Sequence, residues 1–450
     1  MKLVKSVAAI AVAACLAVVC AGCASAGSAS SASASASSAS ASAASSEASA
    51  SASSEAASSS AASSEAASSE AASSEAASSS AASSEAASSS AAASDADKAA
   101  AAAVDELIAA IQVQERTDTT DADCKAAKAA WDALTDAQKE LVEEGGYFAD
   151  DTGDASKDDP LAAAPDKENE ILVVSFGTSF NDNRVATIGA VEKAIQAANP
   201  DWAVRRAFTA QIIINHVAAR DGEQINTVAQ ALDLAKESGV KNLIVAPTHL
   251  MHGAEYDELV AALKPYEADM KIVISEPLLG EVGADPSVIN DDKKAVAEAV
   301  VAATVKDAGL DSIEAADADK VAFVFMGHGT SHEANVTYNQ MQAQMNELGY
   351  KNVFIGTVEG EPEDTACDVV IGKVKDAGYT KVILRPLMVV AGDHANNDMA
   401  DPEDPESWFS QFTASGAFES VDCQIKGLGE ILAVQDLYVK HVADAMAQAQ

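Results

Sequence analysis

From residue 170 onward, short apolar runs alternate with longer stretches in which apolar residues recur every three or four positions. The short runs predict buried strands, and the longer period predicts helices with one apolar face. Strands that alternate with helices are typical of an α/β domain with a parallel sheet. The predicted strands are 171–176, 203–208, 242–246, 271–275, 321–326, 353–357, 381–386 and 421–425, and the helices between them include 185–198, 225–238, 295–307 and 332–348.

This region also contains an internal repeat. Residues 174–179 (VSFGTS) and 326–331 (MGHGTS) both end a predicted strand in Gly-Thr-Ser before a helix. Segments 241–257 and 381–398 share an opening Lys, an apolar strand, a Pro, and a Gly six residues after that Pro. We therefore predict two similar halves, 170–300 and 301–450. Because ligand crevices of open α/β sheets lie at the carboxyl ends of strands, we expect the four repeated loops to surround one cleft.

Three further segments precede this domain. Residues 98–150 carry two helical patterns, which predict a small helical module with a spacer role. The acidic stretch 151–169 contains Gly and Pro and is predicted to be a linker. Residues 24–97 are nearly all Ser and Ala, with Ser-Ser-Glu-Ala-Ala repeats whose period of five fits neither helix nor strand. We predict that this segment is a disordered tether.

The first residues resemble a secretory signal. Residues 1–23 have two early lysines and an apolar run that is too short to span a bilayer comfortably. They end in the sequence CAGC, which resembles a bacterial lipoprotein box. We therefore expect lipidation of Cys23 and an extracytoplasmic protein that is attached to the membrane through this lipid anchor alone. Cleavage by an ordinary signal peptidase near Ala24 or Ala26 is the alternative.

Charge and cysteine content exclude several classes of protein. The formal net charge of -40 argues against a nucleic-acid partner, because neutralising phosphates requires clustered Lys and Arg. Three cysteines remain beyond the signal segment, Cys124, Cys367 and Cys423. Their odd number and spacing fit neither a disulfide framework nor a metal site, so we expect small buried residues or free thiols. The sequence leaves a homo-oligomer open.

Two of the seven histidines lie beyond apolar strands, and His328 follows its strand directly. His328 lies between Gly327 and Gly329, where a backbone without Cβ atoms lets a ligand come close. His394 lies in the polar stretch GDHANNDM, and Glu359 follows another strand. Two imidazoles and one carboxylate at successive strand ends suit Co²⁺, Fe²⁺, Ni²⁺ or Zn²⁺ and leave coordination positions open.

A second cluster consists of His249, His252 and Glu255. It lacks the His-Glu-x-x-His order of a zinc protease. Aligning the two Pro-to-Gly segments puts Glu255 opposite His394, which favours a position in the same cleft. Capping of a helix predicted at 256–264 is an equal alternative.

Several short stretches together resemble one family. They are 175–179 (SFGTS), 325–330 (FMGHGT), 356–360 (GTVEG), 385–388 (RPLM), 392–399 (GDHANNDM) and 405–408 (PESW). Residues of about 168 to 447 resemble the anaerobic sirohydrochlorin cobaltochelatases of the class II chelatase family, relatives of ferrochelatase. The resemblance implies the chelatase fold, with two flavodoxin-like (Rossmann-like) parallel-sheet halves around a cleft, and no organic cofactor.

The resemblance also implies roles for the strand-end residues. His328, Glu359 and His394 bind the incoming metal, and one of the two histidines accepts the pyrrole protons. The implied reaction is insertion of Co²⁺ into sirohydrochlorin, or a related tetrapyrrole, with release of two protons, as in anaerobic cobalamin biosynthesis.

The bound macrocycle carries carboxylates, so local donors are needed in so acidic a chain. Candidate substrate-binding residues are Gly177, Thr178, Ser179, Glu255, Thr330 and Arg385. Arg184 is a further candidate, whereas surface ion pairs are the preferred interpretation for Arg205 and Arg206.

Two other functions stay open at this point. An extracytoplasmic lipoprotein is an unusual place for cobalamin synthesis, so a tethered protein that captures haem, another tetrapyrrole or metal without turnover is the main alternative. A chelatase that uses Fe²⁺ or Ni²⁺ is the other. Catalytic rather than stoichiometric spectral change with sirohydrochlorin and Co²⁺ separates an enzyme from a binding protein.

Overall fold

A computed structural model describes residues 93–281 and 283–449. The signal segment, Cys23 and the tether as far as residue 92 lie outside these residues, so the statements about them stay predictions. Within the described part of the chain, no helix is both long and apolar enough to cross a membrane. The first helix begins at Asp95, where the Ser94 hydroxyl accepts a hydrogen bond from the Asp97 amide. This start lies three residues before the predicted module.

The described residues contain eight strands in two parallel four-stranded sheets. The strands are β1 (Asn169–Ser175), β2 (Ala203–Phe208), β3 (Asn242–Pro247), β4 (Lys271–Ile274), β5 (Val321–Gly327), β6 (Val353–Thr357), β7 (Lys381–Pro386) and β8 (Ser420–Cys423). Their order is β2-β1-β3-β4 in one sheet and β6-β5-β7-β8 in the other. Every predicted strand is present with ends that agree to within two residues, and the shared order confirms two similar α/β halves.

The helices of the described residues lie before, between and after these strands. They are α1 (Asp95–Ile111), α2 (Thr120–Asp132), α3 (Asp136–Lys139), α4 (Gly146–Ala149), α5 (Asn181–Ala186), α6 (Ile188–Ala198), α7 (Gln211–Asp221), α8 (Val228–Glu237), α9 (Ala254–Leu263), α10 (Asp291–Asp307), α11 (Ile313–Ala318), α12 (Val336–Glu347), α13 (Cys367–Asp376), α14 (Trp408–Ala414) and α15 (Leu432–Gln448).

The prediction of one continuous helix over 185–198 was wrong. The helix is divided at Thr187, which has φ -112° and ψ -83° and so is not helical. A Cβ atom placed on Gly429 would lie 2.9 Å from the Cβ of Thr187. The helix is therefore interrupted where the second half of the chain packs closely against it.

Both halves contribute to one hydrophobic core. It contains residues of β1 and β3 from the first half and of β5 and β6 from the second, together with α10, α12 and α15. Helix α15 returns to pack on α6, β3 and β4. Its Tyr438 hydroxyl donates a 2.8 Å hydrogen bond to the Thr248 carbonyl. Because the core is shared, the strand ends of the two sheets are held in a fixed relation to each other. The predicted boundary between 300 and 301 falls inside α10.

The helical module packs onto the α/β domain through α7. Apolar residues of α1 and α2 form one cluster with Ala219 of α7. The Asn215 side chain donates a 2.9 Å hydrogen bond to the Ile111 carbonyl. The ring of His216 stacks on that of Tyr147, with 3.9 Å between centroids. The module is therefore docked on the domain, which differs from the spacer predicted from sequence.

The segment predicted as a linker, 151–169, is anchored by a buried carboxylate. Asp158 accepts a hydrogen bond of 2.7 Å from Arg184 Nε and bonds of 2.5 and 3.0 Å from the Arg206 guanidinium. The two arginine side chains are 0% exposed and that of Asp158 is 2% exposed. Arg184 is therefore not free to bind a substrate, and Arg206 forms its ion pair in the interior instead of at the surface.

The three described cysteines form no disulfide with one another. Burial raises the pKa of the Cys124 thiol to about 11 and the pKa values of Cys367 and Cys423 to about 12. Thiols with such pKa values are protonated at neutral pH and react slowly. The expectation of free thiols is confirmed for all three, and Cys124 is also fully buried, whereas Cys367 and Cys423 are half-buried.

Candidate metal centre

Three neighbouring strands of the second sheet bring the predicted ligands to one edge. His328 follows the central strand β5 directly, Glu359 lies two residues beyond β6, and His394 lies in the loop after β7. Because β5 pairs in parallel with both β6 and β7, these three strands end at the same edge. The amide of Glu359 donates a 2.9 Å hydrogen bond to the His328 carbonyl, which fixes the two loops against each other.

The two histidine rings are close enough to share one metal ion. Their centroids are 4.6 Å apart, and the rings meet edge to face at 84°. Nδ1–H of His328 donates to the Gly329 carbonyl at 2.8 Å, and Nδ1–H of His394 donates to Asp398 Oδ2 at 2.6 Å. Both Nδ1 atoms are therefore occupied, which leaves the two Nε2 atoms as the candidate metal ligands.

Glycine and a buried tyrosine hold His328 in place. Gly329 has φ +95°, and a Cβ atom there would come within 2.9 Å of the Glu359 Cβ. Its amide donates a 3.0 Å hydrogen bond to the Tyr338 hydroxyl oxygen. Burial raises the pKa of Tyr338 to about 12, so the hydroxyl stays protonated. A side chain at position 329 would displace the Glu359 loop, which explains why only glycine fits there.

The loop that carries His394 ends in a π-helical turn, Ala395–Met399. Asp393, His394 and Asp398 each offer one ligand atom, and these atoms lie within 4.8 Å of one another. Burial opposes the charged ring, but the hydrogen bond to Asp398 and the charges of Asp398, Asp393 and Glu359 outweigh it and raise the pKa of His394. Glu359 contributes to this shift from the strand end next to His328.

Sequence reasoning missed the role of Asp398. Its spacing of four residues from His394 was the available signal, since residues four apart are neighbours on a helical turn. A carboxylate that accepts Nδ1–H orients an imidazole and makes its other nitrogen a better metal ligand.

Known proteins match the α/β part of this chain. The model of the family described as "Cobalt chelatase (CbiK)" matches residues 169–447. This chain belongs to the cobalt chelatase (CbiK) family. It is 34% identical over 282 residues to the sirohydrochlorin cobaltochelatase of Salmonella typhimurium, covering 62% of this chain and 97% of that protein. It is 29% identical over 293 residues to the sirohydrochlorin cobaltochelatase CbiKC of Nitratidesulfovibrio vulgaris, covering 64% of this chain and 94% of that protein.

Among solved structures, this chain is similar to the crystal structure of the sirohydrochlorin chelatase SirB from Bacillus subtilis subspecies spizizenii in complex with cobalt. It aligns with a TM-score of 0.42 and 14% identity over 62% of this chain and 96% of that chain. The residues that match the CbiK family begin at β1, so the helical module lies outside the matched region.

In this CbiK family member, the predicted turn 177–179 of the first half packs against the His394 loop of the second half. The side chains of Thr178 and Ser179 are 3% and 7% exposed. The Thr178 carbonyl accepts a 3.0 Å hydrogen bond from Arg184 Nη1. A Cβ atom on Gly392, in the His394 loop, would lie 2.7 Å from Thr178 Oγ1. The turn therefore sets the distance between the first half and the metal centre, and its contact with substrate stays a prediction.

Glu255 lies in the first turn of α9, whose N-cap residue is Gly253. Because glycine has no side chain, the alternative that this cluster supplies the N-cap is wrong. Glu255 Oε2 is 3.6 Å from His249 Nε2. Burial and the charge of Glu258 raise the pKa of Glu255 to about 7. The charge of Glu255 also contributes to the raised pKa of Tyr338, whose hydroxyl holds the Gly329 amide, and the place of Glu255 in the cleft stays a prediction.

The remaining substrate candidates differ in position. Thr330 Oγ1 accepts a 3.1 Å hydrogen bond from the His332 amide, so this hydroxyl helps to shape the loop after His328. Arg385 is only 1% exposed, and its Nη1 donates to Asp307 and Gln424 at 2.9 Å. The prediction that Arg385 binds substrate was wrong, because its side chain is buried in this network.

Arg205 is also an interior residue. It pairs with Glu170 at 2.7 Å, and the two side chains are 3% and 0% exposed. The predicted ion pair is present, but it lies within the first sheet instead of at the surface. Arg205 is therefore not available to a substrate in the cleft.

Proposed function

We propose that this protein inserts Co²⁺ into sirohydrochlorin and releases two protons. The observation that carries the proposal is the pair of His328 and His394 rings, 4.6 Å apart with both Nε2 atoms free of hydrogen bonds to the loops that hold them, beside Glu359. Membership of the cobalt chelatase family supports Co²⁺ as the metal, and two relatives are named sirohydrochlorin cobaltochelatases.

The ligand set suits the chemistry of metal insertion. Two imidazoles and one carboxylate hold a borderline divalent ion and leave positions open for the incoming pyrrole nitrogens. The Glu359 carboxylate offsets part of the metal charge. As the metal moves to the macrocycle, a freed imidazole can accept a pyrrole proton, because neutral histidine is a base near neutral pH. The same pair of rings would thus serve as ligands first and as bases afterwards.

The cleft also offers an apolar surface. Phe176 lies at the carboxyl end of β1, directly before the turn that meets the His394 loop, and it is 42% exposed. A large aromatic ring that is open to solvent beside a candidate site is well suited to pack against a flat macrocycle. We propose that Phe176 contacts the face of the tetrapyrrole.

Asp398→Asn tests how the ligand His394 is held. Asparagine keeps an acceptor near Nδ1 but removes the charge, so we expect Co²⁺ to bind about 10–100-fold more weakly. The charge of Asp398 raises the pKa of His394, and protons compete with metal below that pKa. The low-pH limb of the insertion rate should therefore move to lower pH in the variant. Calorimetric titration with Co²⁺ and a pH profile of insertion measure the two effects.

Glu403→Gln is the matched control, because it removes an exposed carboxylate just beyond the same turn. It should change neither the affinity nor the pH profile. If Asp398→Asn weakened binding without moving the pH profile, a purely structural role for Asp398 would explain the data better.

Turnover separates the enzyme from a binding protein. The mature protein is mixed with a large excess of sirohydrochlorin and Co²⁺, and the absorption spectrum is followed. An enzyme converts many equivalents of tetrapyrrole per chain, whereas a capture protein stops at one equivalent or fewer. Parallel reactions with Fe²⁺, Ni²⁺ and Zn²⁺ rank the metals. A spectral change that ends at a stoichiometric level would overturn the proposed activity.

The location of the protein in the cell is a separate proposal. The CAGC sequence at the end of the signal segment supports an extracytoplasmic lipoprotein with Cys23 as the lipidated residue. Labelling of producing cells with a radioactive fatty acid tests it, with Cys23→Ser as the comparison. Equal labelling of both proteins would refute the anchor.

A further inference from the structure

The loop after β3 carries two histidines with unused ring nitrogens. Within the described part of the chain, both ring nitrogens of His249 and Nε2 of His252 are buried and have no hydrogen-bond partner. The His249 side chain is only 6% exposed. Buried polar atoms in folded proteins are nearly always paired, so each exception calls for an explanation. A bound cation would satisfy such nitrogens.

His252 faces a carboxylate from the neighbouring strand. Its Nε2 lies 3.0 Å from Oε2 of Glu276, two residues beyond β4, yet the two groups lack the geometry of a hydrogen bond. Two ligand atoms that are each about 2.1 Å from one ion, at a right angle, lie roughly 3.0 Å apart. The pair therefore has the spacing of two ligands to one divalent ion.

Contacts from other residues hold both groups in place. The His252 ring packs on Tyr256, with 4.5 Å between centroids. The carbonyl of Glu276 accepts a 3.1 Å hydrogen bond from His441 Nδ1–H. The Leu278 amide donates a 3.0 Å bond to the carbonyl in the β3 loop at His249, which ties the two loops together. A metal could bind this pair without moving the backbone.

The carboxylate of the pair is open to solvent, and the helix that follows the His252 loop contacts the segment after His328. The side chains of His252 and Glu276 are 24% and 53% exposed, so water reaches the Glu276 carboxylate, whereas Nε2 of His252 is covered. Asp257, on the helix that follows the loop, approaches His332 Nε2 at 3.5 Å, and His332 is four residues beyond His328. The net charge of -40 draws cations towards the protein in general.

We propose that His252 and Glu276 form a second site for a borderline divalent metal such as Co²⁺, Ni²⁺ or Zn²⁺, and that it loads the centre at His328, Glu359 and His394. One imidazole and one carboxylate with water bind such an ion weakly and release it readily, which suits transfer. The loading role rests on the proposed chelatase function, whereas the existence of the second site does not.

The site is tested by measuring Co²⁺ binding to the mature protein in the absence of tetrapyrrole. Excess Mg²⁺ is added to occupy sites that consist of carboxylates alone. Equilibrium dialysis should find about two Co²⁺ per wild-type chain and about one in the double variant His252→Asn/Glu276→Gln. The variant His328→Ala/His394→Ala should also bind about one, at the other site. Glu258→Gln, which removes an exposed carboxylate from α9, is the control and should match the wild type. A double variant at His252 and Glu276 that binds as much Co²⁺ as the wild type overturns the site.

Kinetics with limiting Co²⁺ tests the loading role. In the double variant at His252 and Glu276, KM for Co²⁺ should rise about tenfold while kcat is unchanged, because the insertion chemistry is intact. A KM equal to that of the wild type overturns loading. Absence of turnover in the wild type would overturn the proposed function and leave the dialysis result to decide the site by itself.

Discussion

Replacing His328 with alanine is expected to lower the rate of cobalt insertion by roughly 10²–10⁴-fold, the usual loss when a catalytic base is removed. The variant loses one of two imidazole ligands and one of two candidate bases. The hydrogen bond to Asp398 fixes the ring of His394. This ring therefore cannot move the 4.6 Å between the two ring centroids to take the place of His328. Insertion is measured as the change in the sirohydrochlorin spectrum, with circular dichroism to verify the fold.

The fold should survive this change, because His328 is exposed and, among residues 93–281 and 283–449, its ring forms a hydrogen bond only with the neighbouring Gly329 carbonyl. His332→Asn is the matched control. It removes an imidazole four residues further on and, since asparagine is a good N-cap, keeps the capping of the following helical turn. The control should retain normal turnover. Full activity of His328→Ala would contradict the assignment of the metal centre.

The site could be predicted because its residues break the local pattern. A histidine between two glycines after β5 and a polar run after β7 have no packing role in an α/β domain. Parallel strand order then brings such strand ends to one edge, so no long-range information was needed. His328, Glu359 and His394 are brought together for this reason.

The partners of these residues were harder to predict. In the sequence, Asp398 looks like any other acidic residue in a loop. Only the helical turn in the structure shows that its carboxylate faces His394. Tyr338 lies within α12 and would be assigned to the core by its period, although its hydroxyl holds the Gly329 amide. Such supporting contacts depend on side-chain direction, which spacing alone does not give.

The most serious errors of the sequence analysis concern charged side chains that are buried in the structure. Charged residues are usually placed at the surface, since few are fully buried unless they are paired. Arg206 and Arg385 are both inside, each with an acidic partner that is distant in the sequence. The partner of Arg206 is Asp158, in a segment whose Gly and Pro content predicted a linker. A sequence pattern describes one segment at a time and cannot show that such a residue completes an ion pair.

Asp158→Asn is expected to destabilise the fold more than any surface substitution. The carboxylate accepts three hydrogen bonds from Arg184 and Arg206, and an amide oxygen can replace only part of them. If two donors are left unpaired at about 1–3 kcal/mol each, the free energy of unfolding falls by roughly 2–6 kcal/mol. Urea denaturation followed by circular dichroism measures this loss.

The dependence of that loss on pH distinguishes charge from packing. Burial opposes ionisation of Asp158, but the hydrogen bonds and charges of Arg206 and Arg184 outweigh it and lower its pKa. A lowered pKa means that the ionised group stabilises the fold above the unfolded value of about 3.9 and that this stability is lost as pH falls through the folded value. The gap between wild type and variant should therefore be full at neutral pH and shrink in acid. Asp269→Asn, which breaks a solvent-exposed pair with Lys236, should leave the denaturation midpoint unchanged at either pH. A gap of constant size down to strong acid would mean that the Asp158 side chain acts through its shape and not through its charge.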